Sequence, residues 1–457
     1  MRAYQPNRIV IIGAVAAGMS AASRARRNDP RAEITVIQKE DDVSYGACGL
    51  PYFIDGKIQD SNSLIARTVA DFKAQNIHIL NAHEALYFQH HKKKLYSRNL
   101  ISGVIIERDY DKLIIATGAK AKSLAVPGAH LKNVFSLRTL FDGRQINTFI
   151  RENNPKSVLI IGSGYVGLEM AEAFKQREIK TTLIEENNQL LNSVDEEIAA
   201  MVQKELQLNE CAFLLNTSIK QISGMKQVEQ VVLDNGGMLQ CDCVLNATGI
   251  EPNIEFAKQS GVHLGNTGAI AINAKMETNL HGVYAAGDCC EVKNLVSNRY
   301  EYLPLGTTAN KQGRVAGDNA SGRFAQFRGI VGTAALKVFD LHIARTGLSQ
   351  KQAEKLNLKY DSVLINAGTR PQYSGCRKDI MIKLLFLKHN GQVLGAQIAG
   401  GEGVAKRIDV FATALHQKMT VFDMADLDLS YAPPFAPVWD PVLIAANQAI
   451  KKIKLKK

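Results

Sequence analysis

The chain has 457 residues, 46% hydrophobic and 22% charged, an ordinary globular composition with room for about three domains of ~150 residues. Its formal net charge is +11, and the basic excess gathers in His90-His91-Lys92-Lys93-Lys94 and in the tail after Ile450. Such runs read as solvated surface or as attraction for a polyanionic small molecule. No stretch is long and apolar enough to span a bilayer, and no nucleic-acid motif or interleaving of aromatics with the basic runs is present, so neither a membrane nor nucleic acid is expected as a partner. Seven cysteines, an odd number without a disulfide framework, suit a reducing cytoplasm.

Residues 8–12 predict a buried strand, 13–18 a loop, 19–28 a helix and 33–37 the next strand. The apolar stretch after Arg2 is therefore a strand, loop and helix rather than a signal peptide. The loop reads Gly13-Ala14-Val15-Ala16-Ala17-Gly18, with Val15 where a middle glycine is usual and Gln38 where an acidic ribose ligand is usual. By itself it fits a dinucleotide loop or a structural turn. Next comes Ser44-Tyr45-Gly46-Ala47-Cys48-Gly49-Leu50-Pro51-Tyr52. The position five before Cys48, where a second redox cysteine would pair with it, is Val43. Chemistry at Cys48 must then use one thiol and a group from outside. Pro51 favours a helix start, whose dipole is expected to favour the thiolate. Residues 112–118 predict a buried strand ending in Thr117-Gly118.

The plan then repeats. Strand 157–161 leads into Gly162-Ser163-Gly164-Tyr165-Val166-Gly167, a helix through Phe174 and strand 180–185, and residues 244–249 close the copy at Gly249. This second loop is a full G-x-G-x-x-G between strand and helix, with Glu185 at the next strand's end to accept ribose hydroxyls and repel a 2′-phosphate. NADH is the expected donor, with NADPH second. Residues 283–288 read as a return strand ending in Asp288, which begins a helix and can hold a ribityl hydroxyl of a flavin or cap the helix. From about Thr333 the pattern becomes α+β, with strands 361–367, 379–388 and 393–398 and a helix near 404–418. Cys241, Cys243, Cys289 and Cys290 lack zinc spacing and read as buried thiols.

Taken together, 13–18, Ser44 to Tyr52, 162–169, Ala247-Thr248-Gly249-Ile250-Glu251-Pro252-Asn253, Ala286-Gly287-Asp288 and Ser430-Tyr431-Ala432-Pro433-Pro434-Phe435 resemble the single-cysteine branch of the pyridine nucleotide–disulfide oxidoreductases. Within it the chain is most similar to coenzyme A–disulfide reductase and the coenzyme A persulfide or polysulfide reductases, over nearly its whole length. The resemblance implies an α/β fold of two Rossmann-like dinucleotide-binding domains, for FAD (1–120 with 251–330) and NAD (121–250), and a C-terminal α+β dimerisation domain (331–457). It implies bound FAD, a homodimer with shared active sites, and coenzyme A as substrate or mixed disulfide. Cys48 would be the redox thiol. Tyr431 would reach the partner's Cys48, with Tyr373 beside it. Tyr165 would gate the nicotinamide pocket, with Glu169 following it.

Coenzyme A brings phosphates, for which Arg24 and Arg27 on one helix face, with Arg67 and Lys73, are the expected cradle. Two departures stand out. The oxidase and peroxidase branches carry a histidine in the first loop where this chain has Ala16, and the usual asparagine before the cysteine is Ala47. The reading is an FAD-dependent NADH:disulfide reductase without a rhodanese extension. Its rivals are an NADH oxidase or peroxidase cycling through cysteine sulfenic acid, and a basic nucleic-acid-binding flavoprotein.

Overall fold

The computed structural model describes residues 6–453, so Arg2 and positions 454–457 of the basic tail lie outside the described residues. Two parallel five-stranded sheets share one plan. The first runs Val283–Ala285, Lys112–Ile115, Arg8–Ile12, Glu33–Ile37, Ile77–Leu80. The second runs Val134–Ser136, Cys243–Asn246, Ser157–Ile161, Lys180–Ile184, Ala212–Leu214. Register repeats as well: Ile9 lies opposite Ile34 and Lys112, and Val158 opposite Thr181 and Cys243. Unbroken Ile/Val/Leu runs suit strands covered on both faces, and Ile9, Ile11, Ile160 and Leu245 are all fully buried.

The duplication extends to an antiparallel three-stranded meander in each copy. These are His83–Gln89, Lys94–Asn99 and Ile105–Asp109, then Ile219–Ser223, Gln230–Leu233 and Met238–Gln240. The sequence reading lacks both, because their strands are short, half-exposed and mixed in polarity. Ala119–Ala121 pairs antiparallel with Ile250–Pro252 where the chain passes between the two sheets. The third sheet is antiparallel, in the order Ala334–Val338, Leu341–Gly347, Val393–Gly400, Asp379–Leu387, Tyr360–Gly368. Helices Val404–His416 and Pro441–Lys452 cover it, tied by the buried Arg407–Asp440 ion pair at 2.9 Å. The chain is thus mixed α/β with a C-terminal α+β unit, as expected.

Two contacts position the site. Helix Gly306–Ala320 presses on helix Ala16–Asn28 so closely that a Cβ on Gly313 or Gly317 would meet the carbonyl oxygens of Ala17 and Ala21 at 2.2 and 2.4 Å. This close approach sets Asn310, Gln312 and Arg314 beside the first glycine loop. Buried Lys383 pairs with Asp195 (3.3 Å) and Glu197 (2.7 Å), fastening helix Glu196–Leu208 to the third sheet. Among the described residues no helix is long and apolar enough to cross a membrane.

Candidate active site

Each glycine loop opens with a residue that only glycine fits. Gly13 and Gly162 hold φ of +100° and +99°, and a Cβ would meet the carbonyl oxygens of Ala116 and Ala247 at 2.1 and 2.4 Å. Gly18 and Gly167 close the loops against the carbonyls of Gly13 and Gly162. Gly164 differs: a Cβ there would meet nothing within 4 Å. Its lack of a side chain opens space outside the loop, which is what a pyrophosphate at the N-terminus of helix Tyr165–Gln176 needs. In the first loop Val15 fills the matching place and packs towards Tyr45, Leu50 and Leu140. The helix after it begins at Ala16, three residues earlier than the pattern suggests.

The residues expected to bind ribose also brace their own loops. Gln38 Oε1 accepts from the Ala14 amide at 2.8 Å, and its Nε2 donates to the Asp42 carbonyl at 3.3 Å. Glu185 accepts from the Ser163 amide and hydroxyl (3.1 and 2.6 Å), the Asn187 amide and side chain (3.0 and 2.6 Å) and Asn192 Nδ2 (3.1 Å). The two side chains are counterparts, each clasping the amide that follows its loop's first glycine. Although burial pushes the Glu185 carboxyl up, the bonds from Ser163 and Asn187 outweigh it and hold the group below the usual range.

Asp288 corrects the expected helix start: it lies in a turn after strand Val283–Ala285, and its carboxylate pairs with Arg138. Sequence reasoning missed Arg138, which has no motif around it and comes from just before helix Leu140–Asn153. Nearby, Gln312 Nε2 and the Tyr302 hydroxyl are buried without a partner, while Gln312 Oε1 accepts from the Gly287 amide at 2.8 Å. Thr117 Oγ1 donates to the Asn253 carbonyl at 2.6 Å, and Gly118 and Gly249 hold φ of +69° and +119°. Unmet polar groups beside an Arg–Asp pair at the ends of the first sheet's strands suit a polar cofactor such as FAD.

Cys48 is set against this locus by backbone bonds. The Ser44 amide donates to the Ala14 carbonyl (2.8 Å), and the Gly46 amide to the Leu64 carbonyl (2.9 Å). All seven cysteines are free, and only Cys48 and Cys376 are exposed. Val43 is buried in the core, so nothing replaces the missing second thiol. The thiolate expectation needs correction. Cys48 sits in the 3₁₀ turn Ala47–Gly49 ahead of helix Leu50–Ile54, which is only five residues long. Burial of the sulfur, then the Glu169 carboxylate, push the thiol up, and Arg138 pulls it partly back. Desolvation, with Glu172 adding to it, raises the Glu169 carboxyl to about 7. Tyr165 opens the same helix, its hydroxyl 3.5 Å from Ser193 Oγ.

Beside the Cys48 segment lies a cavity of about 540 Å³, reaching from Ser44–Gly46 to the surface between helices Ala16–Asn28 and Gly306–Ala320. Arg27, Arg67 and Arg314 line it, with Ser23 and Asn310. Two of the four expected cradle residues are absent. Arg24 turns away to Asp318 at 2.6 Å, and Lys73 is exposed outside the lining. Arg314 and Asn310 were missed because their helix is remote in sequence. Among the described residues none of the three lining arginines forms an ion pair, although Arg67 is near enough to Asp71 to help hold its carboxyl below the usual range. Tyr373 and Tyr431 meet, hydroxyl to hydroxyl at 3.5 Å. Around them Phe435, Val438 and Trp439 are exposed by 76, 63 and 62%.

Residues 7–313 match the pyridine nucleotide-disulphide oxidoreductase family, and residues 333–441 its dimerisation domain. The chain belongs to this family. It is 38% identical to an NADH oxidase of Methanocaldococcus jannaschii, over 98% of this chain and all of that protein. It is 37% identical to the NAD(P)H coenzyme A polysulfide/persulfide reductase of Pyrococcus horikoshii, over 96% of this chain and 98% of that one. The crystal structure of reduced Bacillus anthracis CoADR-RHD superposes with a TM-score of 0.96 at 34% identity, covering 98% of this chain and 81% of that one. The protein is therefore an oxidoreductase of the NAD(P)H-dependent, flavin-linked disulfide reductase type, and it carries that family's dimerisation domain.

Proposed function

We propose that the enzyme passes electrons from NADH through FAD to a disulfide or persulfide of coenzyme A, with Cys48 as its single redox thiol. The observation that carries this reading is an exposed thiol without a partner cysteine, two residues after Gly46 in the wall of a cavity that three arginines line without forming ion pairs. A polyanionic thiol compound suits both halves of that arrangement. FAD held near Gly13, Gly18, Thr117, Gly118 and Asp288 would supply the two-electron carrier between nicotinamide and sulfur. The open face of Gly164, the carboxylates of Glu185 and Glu186 and the absence of arginine from the residues that closely follow them support NADH over NADPH at the second loop.

The Cys48 thiolate attacks one sulfur of the substrate disulfide. A Cys48–S–S–coenzyme A bond forms as the substrate S–S bond breaks, and one coenzyme A leaves as thiolate. Two electrons then cleave the mixed disulfide, returning Cys48 as thiolate and releasing the second coenzyme A. Each leaving thiolate takes a proton. Tyr431 and Tyr373 of the partner subunit supply hydroxyls for it across a homodimer interface built on the exposed apolar cluster around them. A reducing cytoplasm keeps Cys48 available. The 38% identity to an NADH oxidase supports a second reading, in which Cys48 cycles through sulfenic acid. Steady-state NADH oxidation with coenzyme A disulfide, coenzyme A persulfide, polysulfide, peroxide and oxygen separates the two. Faster turnover with oxygen or peroxide than with every coenzyme A species overturns the first.

A further inference from the structure

The helix that follows Cys48 belongs to the first unit in sequence and to the second in packing. Helix Leu50–Ile54 buries Phe53 and Ile54 in the hydrophobic cluster that holds Phe149, Leu168, Ala171 and Phe174 of the second unit. Leu50 enters helix Leu140–Asn153 at Gly143, where a Cβ would come within 2.8 Å of its Cδ2. Two polar ties hold the far end. Arg177, at the end of helix Tyr165–Gln176, donates from Nε to the Ile54 carbonyl at 2.8 Å and from Nη2 to Asn147 Oδ1 at 3.3 Å. That carbonyl is one of the last-turn acceptors a helix leaves open. Gly56, at φ +92°, makes room for the guanidinium, since a Cβ there would lie 3.1 Å from its carbon. Lys57 Nζ meets Asp55 at 2.8 Å and the buried Glu172 at 3.4 Å, and Glu172 lies on the helix that Arg177 ends.

We propose that Arg177 and the Lys57–Glu172 pair position the redox thiol, so that the second unit, and not the first alone, fixes where Cys48 stands. A helix of five residues has little stability of its own, so its place is set by what clasps it. Before the thiol, the Ser44 and Gly46 amides tie the chain to the first unit. After it, every tie described above runs to the second. Arg177, Lys57 and Glu172 act through the helix, whose first turn directly follows the thiol. The inference rests on Cys48 being the redox thiol, as proposed above.

The test uses the FAD-loaded full-length protein. NADH reduces the flavin in rapid mixing, and a second mixing with coenzyme A disulfide follows its reoxidation. Mass spectrometry follows alkylation of Cys48 by iodoacetamide, with Cys376, the other exposed thiol, as internal reference. Arg177→Met and Lys57→Met are each expected to slow reoxidation about fivefold, and together ~20-fold, with reduction by NADH unchanged. Cys48 should be alkylated several-fold faster in the double variant, because burial is what pushes its thiol up, while Cys376 keeps its rate. Arg177→Lys, which keeps a donor on a long stem, should restore most of the reoxidation rate. Arg24→Ala lowers stability away from this helix and should change neither readout. Reoxidation at the parent rate in the double variant overturns the inference, as does equal slowing of both half-reactions or the same pattern in Arg24→Ala. A parent whose reduced flavin is not reoxidised by coenzyme A disulfide refutes the proposed substrate instead. Alkylation then decides, and an unchanged Cys48 rate in the double variant overturns the positioning role.

Discussion

Replacing Glu169 by Gln tests the electrostatics of the site most directly. Glu169 is half-buried on helix Tyr165–Gln176 without a hydrogen bond or ion pair among the described residues, and desolvation lifts its carboxyl from 4.5 to about 7. Its neighbour Glu172 is instead held by Lys57, Lys337 and the Phe339 amide. A folded-state value above the unfolded one means that stability is fully present below pH 4.5 and is lost as pH rises through 7. At about 1.4 kcal/mol per unit the full loss is about 3 kcal/mol, an upper bound for a half-buried group. Glutamine keeps the shape and removes the charge. The variant should match the parent near pH 4.5, gain steadily to pH 7 and exceed it by up to about 3 kcal/mol at pH 8.5. Melting curves of both proteins across that range measure it, and the plateau should amount to a few degrees in a chain this long. Losing the negative neighbour should also lower the Cys48 thiol, so alkylation of Cys48 at pH 7.5 should quicken. A difference in melting temperature that is constant with pH, or a variant less stable at pH 8.5, refutes the reasoning.

Cys48→Ser should keep FAD and its reduction by NADH while abolishing coenzyme A disulfide reduction in anaerobic titration, and turnover at the parent rate would remove Cys48 as the redox centre. Tyr431→Phe should slow thiol release ~10²-fold or more with flavin reduction intact. Mixing it with Cys48→Ser under subunit exchange should restore activity to one site of each mixed dimer, since the other carries both defects. No recovery, with exchange confirmed by mass spectrometry, would place Tyr431 within its own site or outside catalysis. Arg27→Ala and Arg67→Ala should each raise KM for coenzyme A disulfide roughly tenfold. Arg24→Ala should leave KM alone and instead cost about 1–3 kcal/mol of stability by unpairing Asp318, and a rise in KM for Arg24→Ala would return that residue to the cradle.

Local pattern was enough where backbone demands are absolute. The two glycine loops, the buried strands Arg8–Ile12 and Ser157–Ile161 and the solitary Cys48 were all legible. A positive φ pressed against a carbonyl admits only glycine, and a strand covered on both faces must be apolar throughout. The duplicated plan followed from reading those signals twice. Contacts between distant segments were a different matter. Arg24 and Arg27 look alike on one helix, and only the approach of helix Gly306–Ala320 gives Arg24 to Asp318 and leaves Arg27 to the cavity. Arg138 and Arg314 carry no motif, because a guanidinium at the end of a long stem can be delivered from almost any backbone position. The thiol of Cys48 was read from the helix beside it, but burial and a carboxylate from the second unit outweigh a dipole that five residues barely build. Sequence fixes what the backbone must do locally; charge and hydrogen-bond partners depend on distances that only the packed chain sets.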